Sequence, residues 1–324
     1  MPAWAEDAEL DEKPAEPAPA QFAKPVEVVK PVEPAKPVEA PKVVEAPKPR
    51  PKLAPVVKGP PPTDLVRAAE DAVRKGQFEN AIQQAKQALK RDEKFVPAMV
   101  VMAKAYYSLK KYELATAIID IAAGIDKQNA EAFHLRGFIA LAQKDEPRAL
   151  ASFQKATEYK PDYASAWSNL GAQYLKAKNY PEAQKALEKA VQLDPNLSRA
   201  HLNLGSAYRG LKEHQKSEAS YRSALRLVPS YAQAHFNLGI LYLDAADFPG
   251  MEPIPRLGSA ISNLTKYKEL MSFRLAKDDP ADAYIEEARK AVEREQKRIE
   301  REKKKREQPK APAAGAKPAA PPAK

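Results

Sequence analysis

Cysteine is absent from the 324-residue sequence. Without thiols the chain has no disulfides, no thiolate metal ligands and no cysteine nucleophile. Its apolar runs stay well short of the roughly 18 residues that a membrane-spanning helix needs. The sequence also lacks a glycine-rich phosphate loop and any Ser/His/Asp or paired-carboxylate pattern that stands out from ordinary helical composition. These absences predict a protein that is not an enzyme and that has no cofactor, no metal and no small-molecule substrate.

The most regular stretch of the sequence is 164–196. It predicts two short helices, because its apolar residues recur at the spacing of three, four and seven that places side chains on one helix face. The first face carries Trp167, Leu170, Gly171 and Tyr174, and the second carries Ala183, Leu187 and Ala190. Pro181 suits the first turn of the second helix.

The same pattern returns along the chain at a fixed period of about 34 residues. One step forward gives Leu204, Gly205, Tyr208 and Ala224, and one step back gives Gly137, Ala149, Phe153 and Ala156. The pattern W-x₂-L-G-x₂-Y followed by A, F, A and P resembles the tetratricopeptide repeat (TPR). This resemblance implies an all-α superhelical solenoid of helix-turn-helix repeats. We expect six units over 62–274, the sixth with an insertion near 245–255, and a capping and charged helix over 279–307.

Both ends of the chain have a different composition. Residues 1–61 are rich in Pro, Lys and Glu and predict a disordered spacer, because proline fixes φ and removes a backbone donor. Residues 308–324 predict a disordered tail. Ala3-Trp4-Ala5 is similar to the end of a secretory signal. We therefore expect an exported protein, periplasmic or associated with the outer membrane, whose signal precedes the printed start; a cytoplasmic protein is the alternative.

The resemblance to TPR proteins also implies a concave groove lined by the first helix of each unit. Asn169, Asn203 and Asn237 recur there one repeat apart, and a carboxamide can pair with the backbone of an extended peptide. The other expected lining residues are Ser165, Ser168, Arg199, Leu202, Arg209, Phe236 and Ile240. The sequence therefore predicts a protein or an extended peptide as partner. The asparagines could equally serve only local hydrogen bonds.

Two further segments are candidate binding sites. Phe248, Met251 and Ile254 are apolar residues in the insertion, which could form a rigid binding loop or fold back onto the end of the repeats. The basic cluster 303–306 could contact phosphates, and the chain has a net charge of +10. Glutamates precede that cluster and no aromatic residue is available for base stacking, so we do not expect nucleic acid as partner.

The segments LYLDAADFPGM, SAISNLTKYKELM and AKDDPADAYIEEARKAVEREQKRIER are similar to the end of the outer-membrane TPR lipoproteins of the myxobacterial gliding machinery. The lipid-carrying cysteine of that family is missing from this sequence. The resemblance implies a scaffold in a cell-envelope or gliding-motility complex. A cytosolic TPR adaptor and a nucleic-acid-associated protein using the basic C-terminus remain the alternatives.

Overall fold

The structure is a computed structural model, and it describes residues 59–307. The predicted spacer, apart from 59–61, lies outside the described residues. So do the candidate processing site and the predicted C-terminal tail. Within 59–307 no helix is both long and apolar enough to cross a membrane.

The described chain folds into thirteen α-helices and one short 3-10 helix, Ser272–Arg274, without a strand. The α-helices are α1 Pro62–Arg74, α2 Phe78–Leu89, α3 Val96–Ser108, α4 Tyr112–Ile125, α5 Ala130–Ala142, α6 Glu146–Tyr159, α7 Ala164–Lys176, α8 Tyr180–Leu193, α9 Ser198–Gly210, α10 His214–Leu227, α11 Ala232–Asp244, α12 Pro253–Met271 and α13 Ala281–Glu307. The predicted all-α class is confirmed.

Two compact units divide the chain, the first ending at Val101 and the second beginning at Met102. In the first unit α1 packs on α2 through small and aliphatic side chains. Leu65, Ala69, Ala81 and Ala85 are buried there. In the second unit α5 packs on α6, α7 on α8, α9 on α10 and α11 on α12, and each pair packs on the next. This consecutive packing of helix pairs is typical of a TPR solenoid.

Glycine brings the two helices of a pair close together in the third to sixth repeats, whereas the first two repeats have alanine at that position. A Cβ atom on Gly171 would lie 2.4 Å from Cγ of Leu187, and one on Gly205 would lie 2.5 Å from Cδ1 of Tyr221. In the sixth repeat a Cβ atom on Gly239 would lie 2.7 Å from Cγ of Leu264. Leu264 therefore occupies the place of Leu187 although the insertion shifts it along the sequence.

The turn inside each of the first five helix pairs has a left-handed residue at one fixed position. In the first repeat that residue is Gly76, with φ +71°. The equivalent residues of the next four repeats are all lysine, and Lys110, Lys144, Lys178 and Lys212 have φ between 55° and 61°. The N–H of Lys178 donates to the carbonyl of Leu175, and the N–H of Asn179 donates to the carbonyl of Tyr174. Both hydrogen bonds are 2.8 Å long. These are the two bonds of a Schellman motif, which normally favours glycine.

Neighbouring repeats are joined by a recurring side-chain bond to tyrosine. Gln154 donates to the Tyr174 hydroxyl at 3.0 Å, and the Tyr208 hydroxyl donates to Glu188 at 2.6 Å. The bond from Arg222 to the Tyr242 hydroxyl is 3.1 Å long. Both partners advance by one repeat length each time. A phenol can donate or accept, so one geometry accommodates an amide, a carboxylate and a guanidinium.

The chain after the fifth repeat departs from the regular period. The insertion leads into α12, and Arg256 at its start is buried and donates to the main-chain carbonyls of Tyr242 and Leu243 at the end of α11. Asp279 accepts a hydrogen bond from the N–H of Ala281 at 2.9 Å at the start of α13. Ala281, Ile285 and Ala288 of α13 are buried, whereas the helix beyond Ile299 is exposed.

Candidate protein-binding face of the first helices

The predicted groove residues lie on α7, α9 and α11. These three helices are the first helices of their repeats, and α9 contacts both α7 and α11. We call the surface that they form the first-helix face. Asn169, Asn203 and Asn237 are all half-buried on it, at the same position of successive repeats. Ser165 on α7 is also half-buried.

Two of the asparagines already have hydrogen-bond partners. Asn169 Nδ2 lies 2.8 Å from Nε2 of His134, and an amide nitrogen can only donate. Asn237 accepts from Gln233 at 3.2 Å and donates to the Ser206 hydroxyl at 3.5 Å. The row of amides is therefore partly used for bonds within the protein, and the three positions are not equivalent.

His134 on α5 lies behind this face against Asn169, and sequence reasoning did not select it. It is buried, and its Nδ1 lies 3.0 Å from the Tyr163 hydroxyl. Burial, with a smaller contribution from Lys104, lowers the pKa of His134 to about 3, so the ring is neutral at pH 7. Since Nε2 accepts from Asn169, the remaining proton sits on Nδ1. His134 lies one repeat length before Ser168, so the repeat spacing could have identified it as a position near the predicted groove.

Four of the predicted lining residues are not accessible. Ser168 is 6% exposed and Phe236 is 7% exposed. The ring of Phe236 packs edge-on at 5.0 Å from that of Tyr267 and at 6.1 Å from that of Tyr284. Phe236 is covered because α12 and α13 pack over its end of the face. Leu202 and Ile240, which we expected beside them, are buried as well. The expectation that these residues line an open groove is corrected.

The two predicted arginines, both on α9, are held by neighbouring side chains. Arg209 Nη1 lies 3.3 Å from Asp244 Oδ2, and Arg199 forms a hydrogen bond with Tyr231. Both remain partly exposed.

The insertion does not form a free apolar loop in this structure. Phe248 is 6% exposed and packs against Tyr242 and His214, with ring centroids 5.7 Å and 6.2 Å away. Met251 is half-buried against the same cluster. Ile254 lies in the first turn of α12. The apolar residues of the insertion therefore fold back onto the end of the repeats, which was the second of the two predicted arrangements.

His201 and His235 take the place of Trp167 in the repeat. Trp167 Nε1 donates to the carbonyl of Pro161 at 2.9 Å. His201 Nε2 donates to the carbonyl of Pro195 at 2.9 Å, and His235 Nε2 to that of Pro229 at 3.2 Å. In each case the ring ties the start of one repeat to the end of the preceding one, which gives both histidines a structural role.

Comparison with known proteins agrees with this geometry. Residues 72–137 and 162–230 match sequence models described as tetratricopeptide repeat. The chain therefore contains tetratricopeptide repeats. No curated protein matches the chain.

Several solved structures have the same fold. The protein of the structure titled "Functional Characterization of Pseudomonas Aeruginosa pilF" is 19% identical, with a TM-score of 0.56, over 64% of this chain and 91% of its own. PilW, whose structure is titled as a widely conserved type IV pilus biogenesis factor, is 18% identical, with a TM-score of 0.54, over 67% and 95%. A chain of the APC/C hetero-tetramer Cut9-Hcn1 is 16% identical, with a TM-score of 0.56, over 70% and 43%. At these identities the likeness concerns the fold alone.

Proposed function

We propose that this repeat protein is a non-enzymatic scaffold that binds an extended segment of another protein on its first-helix face. The observation that carries the proposal is the row of half-buried carboxamides that recur once per repeat at Asn169, Asn203 and Asn237. A carboxamide offers one acceptor and two donors, so it can bond to the backbone of a bound chain whatever its side chains are.

The accessible part of the face is narrower than the sequence predicted. Phe236 and Ile240 lie under α12 and α13, so the site is centred on α7 and α9. Ser165, Asn169, Asn203 and Ser206 are its half-buried polar residues. Asn203 lies at the middle of the row, which makes it the residue whose loss should affect binding most.

The experiment compares the binding of partners to three forms of the full chain. Asn203→Ala removes the central amide, and Lys185→Ala on α8 is the matched control, because Lys185 is an exposed side chain on a second helix. We expect Asn203→Ala to weaken capture of the partner by about tenfold, since one or two hydrogen bonds of about 1 kcal/mol each are lost. Equal capture by both variants, with unchanged helix content, would place the binding site elsewhere.

We further propose that the scaffold belongs to a bacterial envelope complex of the kind that its C-terminal third resembles, the gliding-motility machinery. Support comes from the similarity of the insertion, α12 and α13 to the gliding TPR lipoproteins. The Pro-, Lys- and Glu-rich composition before Pro62 is also typical of envelope-spanning spacers. Fractionation of the producing cells and identification of the captured partners test this proposal. Recovery with cytosolic partners would favour a cytosolic TPR adaptor. Recovery with nucleic acid would favour a nucleic-acid-associated protein that uses the basic C-terminus.

A further inference from the structure

Helix α13 carries a continuous row of positive charge on one side. The members of the row follow one another at intervals of four, three, four and four residues, and they are Lys290, Arg294, Lys297, Arg301 and Lys305. Because successive residues of an α-helix are turned by about 100°, these five lie within about 80° of its circumference and along about 22 Å of its length. All five are exposed. We call them the α13 basic stripe.

The acidic residues of the same helix border the stripe. Between Lys290 and the end of α13, every glutamate is turned by about 80–120° from the middle of the stripe. These glutamates are Glu293, Glu300 and Glu307 on one side and Glu295 and Glu302 on the other. Two more precede the stripe: Glu286 pairs with Lys290 at 3.6 Å, and Glu287 stands in line with its first turn. From Lys290 onward the stripe is therefore uninterrupted.

Most of the stripe is not neutralised by the protein. Its last four residues make no ion pair within the part of the chain that the structure describes, whereas cations beside the stripe do. Arg298 is paired with Glu295 and Glu302, and Lys304 is paired with Glu300. Four positive charges in a row therefore remain for an anionic partner.

The basic run 303–306 that stands out in the sequence is not such a surface. Four consecutive residues are turned by about 100° from one to the next, so they spread around the whole helix. Of that run only Lys305 belongs to the stripe. The concentrated positive charge of α13 comes instead from residues that are three or four positions apart.

The stripe faces away from the repeats. Ala281, Ile285 and Ala288 are buried where α13 packs on α11 and α12. The middle of the stripe is turned by about 140–160° from these three residues. It is therefore a convex surface that a broad partner can reach without meeting the repeats.

Three anionic partners make different demands on such a surface. The centre of a protein interface is mainly apolar, and the stripe has no apolar residue. The major groove of DNA is roughly 8.5 Å deep and would enclose most of a helix about 10–12 Å wide, which would bring the bordering glutamates against the phosphates. A flat layer of lipid headgroups touches only the outermost side of the helix, where the stripe lies.

We propose that the α13 basic stripe binds the anionic headgroups of a phospholipid membrane, with α13 lying along the membrane surface. Each lysine or arginine close to such a surface is attracted by its negative potential, and this attraction needs no apolar contact. The stripe would hold the repeats beside a membrane and leave the first-helix face to its protein partner.

Co-sedimentation of the full chain with lipid vesicles tests the proposal. The vesicles contain phosphatidylcholine with about 30% phosphatidylglycerol, or phosphatidylcholine alone, in about 0.1 M salt. We expect binding to the anionic vesicles that weakens as salt is added, and none to the neutral ones. The stripe variant combines R294Q, K297Q and R301Q. It should bind about a hundredfold more weakly, because three charges near the surface are lost.

The matched control removes three cations from other sides of the same helix. It combines R289Q, K303Q and R306Q, which are exposed and turned by about 120–160° from the middle of the stripe. These charges lie farther from the membrane by up to the width of the helix, about as much as the screening length of roughly 10 Å at this salt concentration. We expect the control variant to keep most of the binding, and circular dichroism should show equal helix content in both variants.

Three results would overturn the proposal. The first is no binding of the unmodified chain to the anionic vesicles. The second is an equal effect of the two variants, since binding would then follow net charge and not the stripe. The third is tighter binding to a DNA duplex or to polyglutamate than to the vesicles at the same salt concentration, which would assign the stripe to a different partner.

A fluorescent label tests the orientation of the helix, and the sequence allows a single attachment site because it has no cysteine. Lys305→Cys places the label on the stripe, and Lys303→Cys places it on the opposite side with the same loss of charge. A quencher attached to the lipid headgroups should reduce the fluorescence of the label at 305 more than at 303. Equal quenching, or stronger quenching at 303, would contradict the proposed orientation.

Discussion

Replacement of Lys178 tests the physical account of the repeat turns. This exposed lysine has φ +55°, in the left-handed region that costs an L-residue roughly 1–2 kcal/mol. Glycine would avoid that cost but would lose about 0.5–1 kcal/mol through the greater freedom of the unfolded chain. The comparison of Lys178→Gly with Lys178→Ala isolates the backbone, because both variants lack the charge. We expect the glycine variant to be more stable by about 1 kcal/mol.

The lysine itself has a compensating effect. A cation near the C-terminal end of α7 interacts favourably with the helix dipole, worth about 0.3–1 kcal/mol at low salt. We therefore expect Lys178→Ala to be less stable than the unmodified chain by that amount, and the difference to shrink as salt is added.

Denaturant unfolding followed by helical circular dichroism measures all three forms. The same pair of changes at Lys110, Lys144, Lys178 and Lys212 together should separate the two variants by about 4 kcal/mol, since distant sites add. If alanine is as stable as glycine at these positions, the turns are not left-handed and the reasoning fails.

Three further predictions concern the packing and the charges of the second unit. Gly171→Ala should destabilise the protein by about 1–3 kcal/mol, because the added Cβ would collide with Leu187. Gly124→Ala is the control: the space around Gly124 is open, so this change should stabilise the protein by up to about 1 kcal/mol. Thermal unfolding measures both variants. The pKa of His134 is about 3 in the folded protein and 6.5 in an unfolded chain, so the unfolded state binds the proton more readily. As the pH falls from 6.5 to 3, the free energy of unfolding should therefore decrease by up to about 1.4 kcal/mol per pH unit. His134→Gln should reduce that slope in pH-dependent denaturation, and an unchanged slope would contradict the assignment. Tyr267→Phe should cost about 1 kcal/mol because its hydroxyl donates to Asp279 at 2.7 Å; stability equal to that of the unmodified chain would mean that this bond does not hold the start of α13.

The repeat pattern predicted the fold because its signal lies in the sequence itself. The regular period places Gly171 opposite Leu187 and Gly205 opposite Tyr221, and the structure has both contacts. The pattern depends only on which residues face the neighbouring helix. It could therefore match Leu264 to Leu187 although the insertion changes the number of residues between them.

The accessible surface could not be predicted in the same way. Phe236 has the sequence position of a groove residue, but α13 breaks the period and packs over it, so only tertiary structure shows that it is covered. Asn169 looked equivalent to Asn203 until its bond to His134 distinguished the two. The repeat spacing brings positions 134 and 169 near each other, but it does not indicate that these two side chains form a hydrogen bond.

Site-specific photo-cross-linking tests the central proposal most directly. A photoreactive side chain is placed at Asn203 of the full chain, and in a parallel sample at Lys185, and both are irradiated in the producing cells. A first-helix face that binds a partner predicts a defined protein adduct from position 203 and none from position 185. No adduct at 203, or the same adducts from both positions, would contradict the proposal that this face holds the partner.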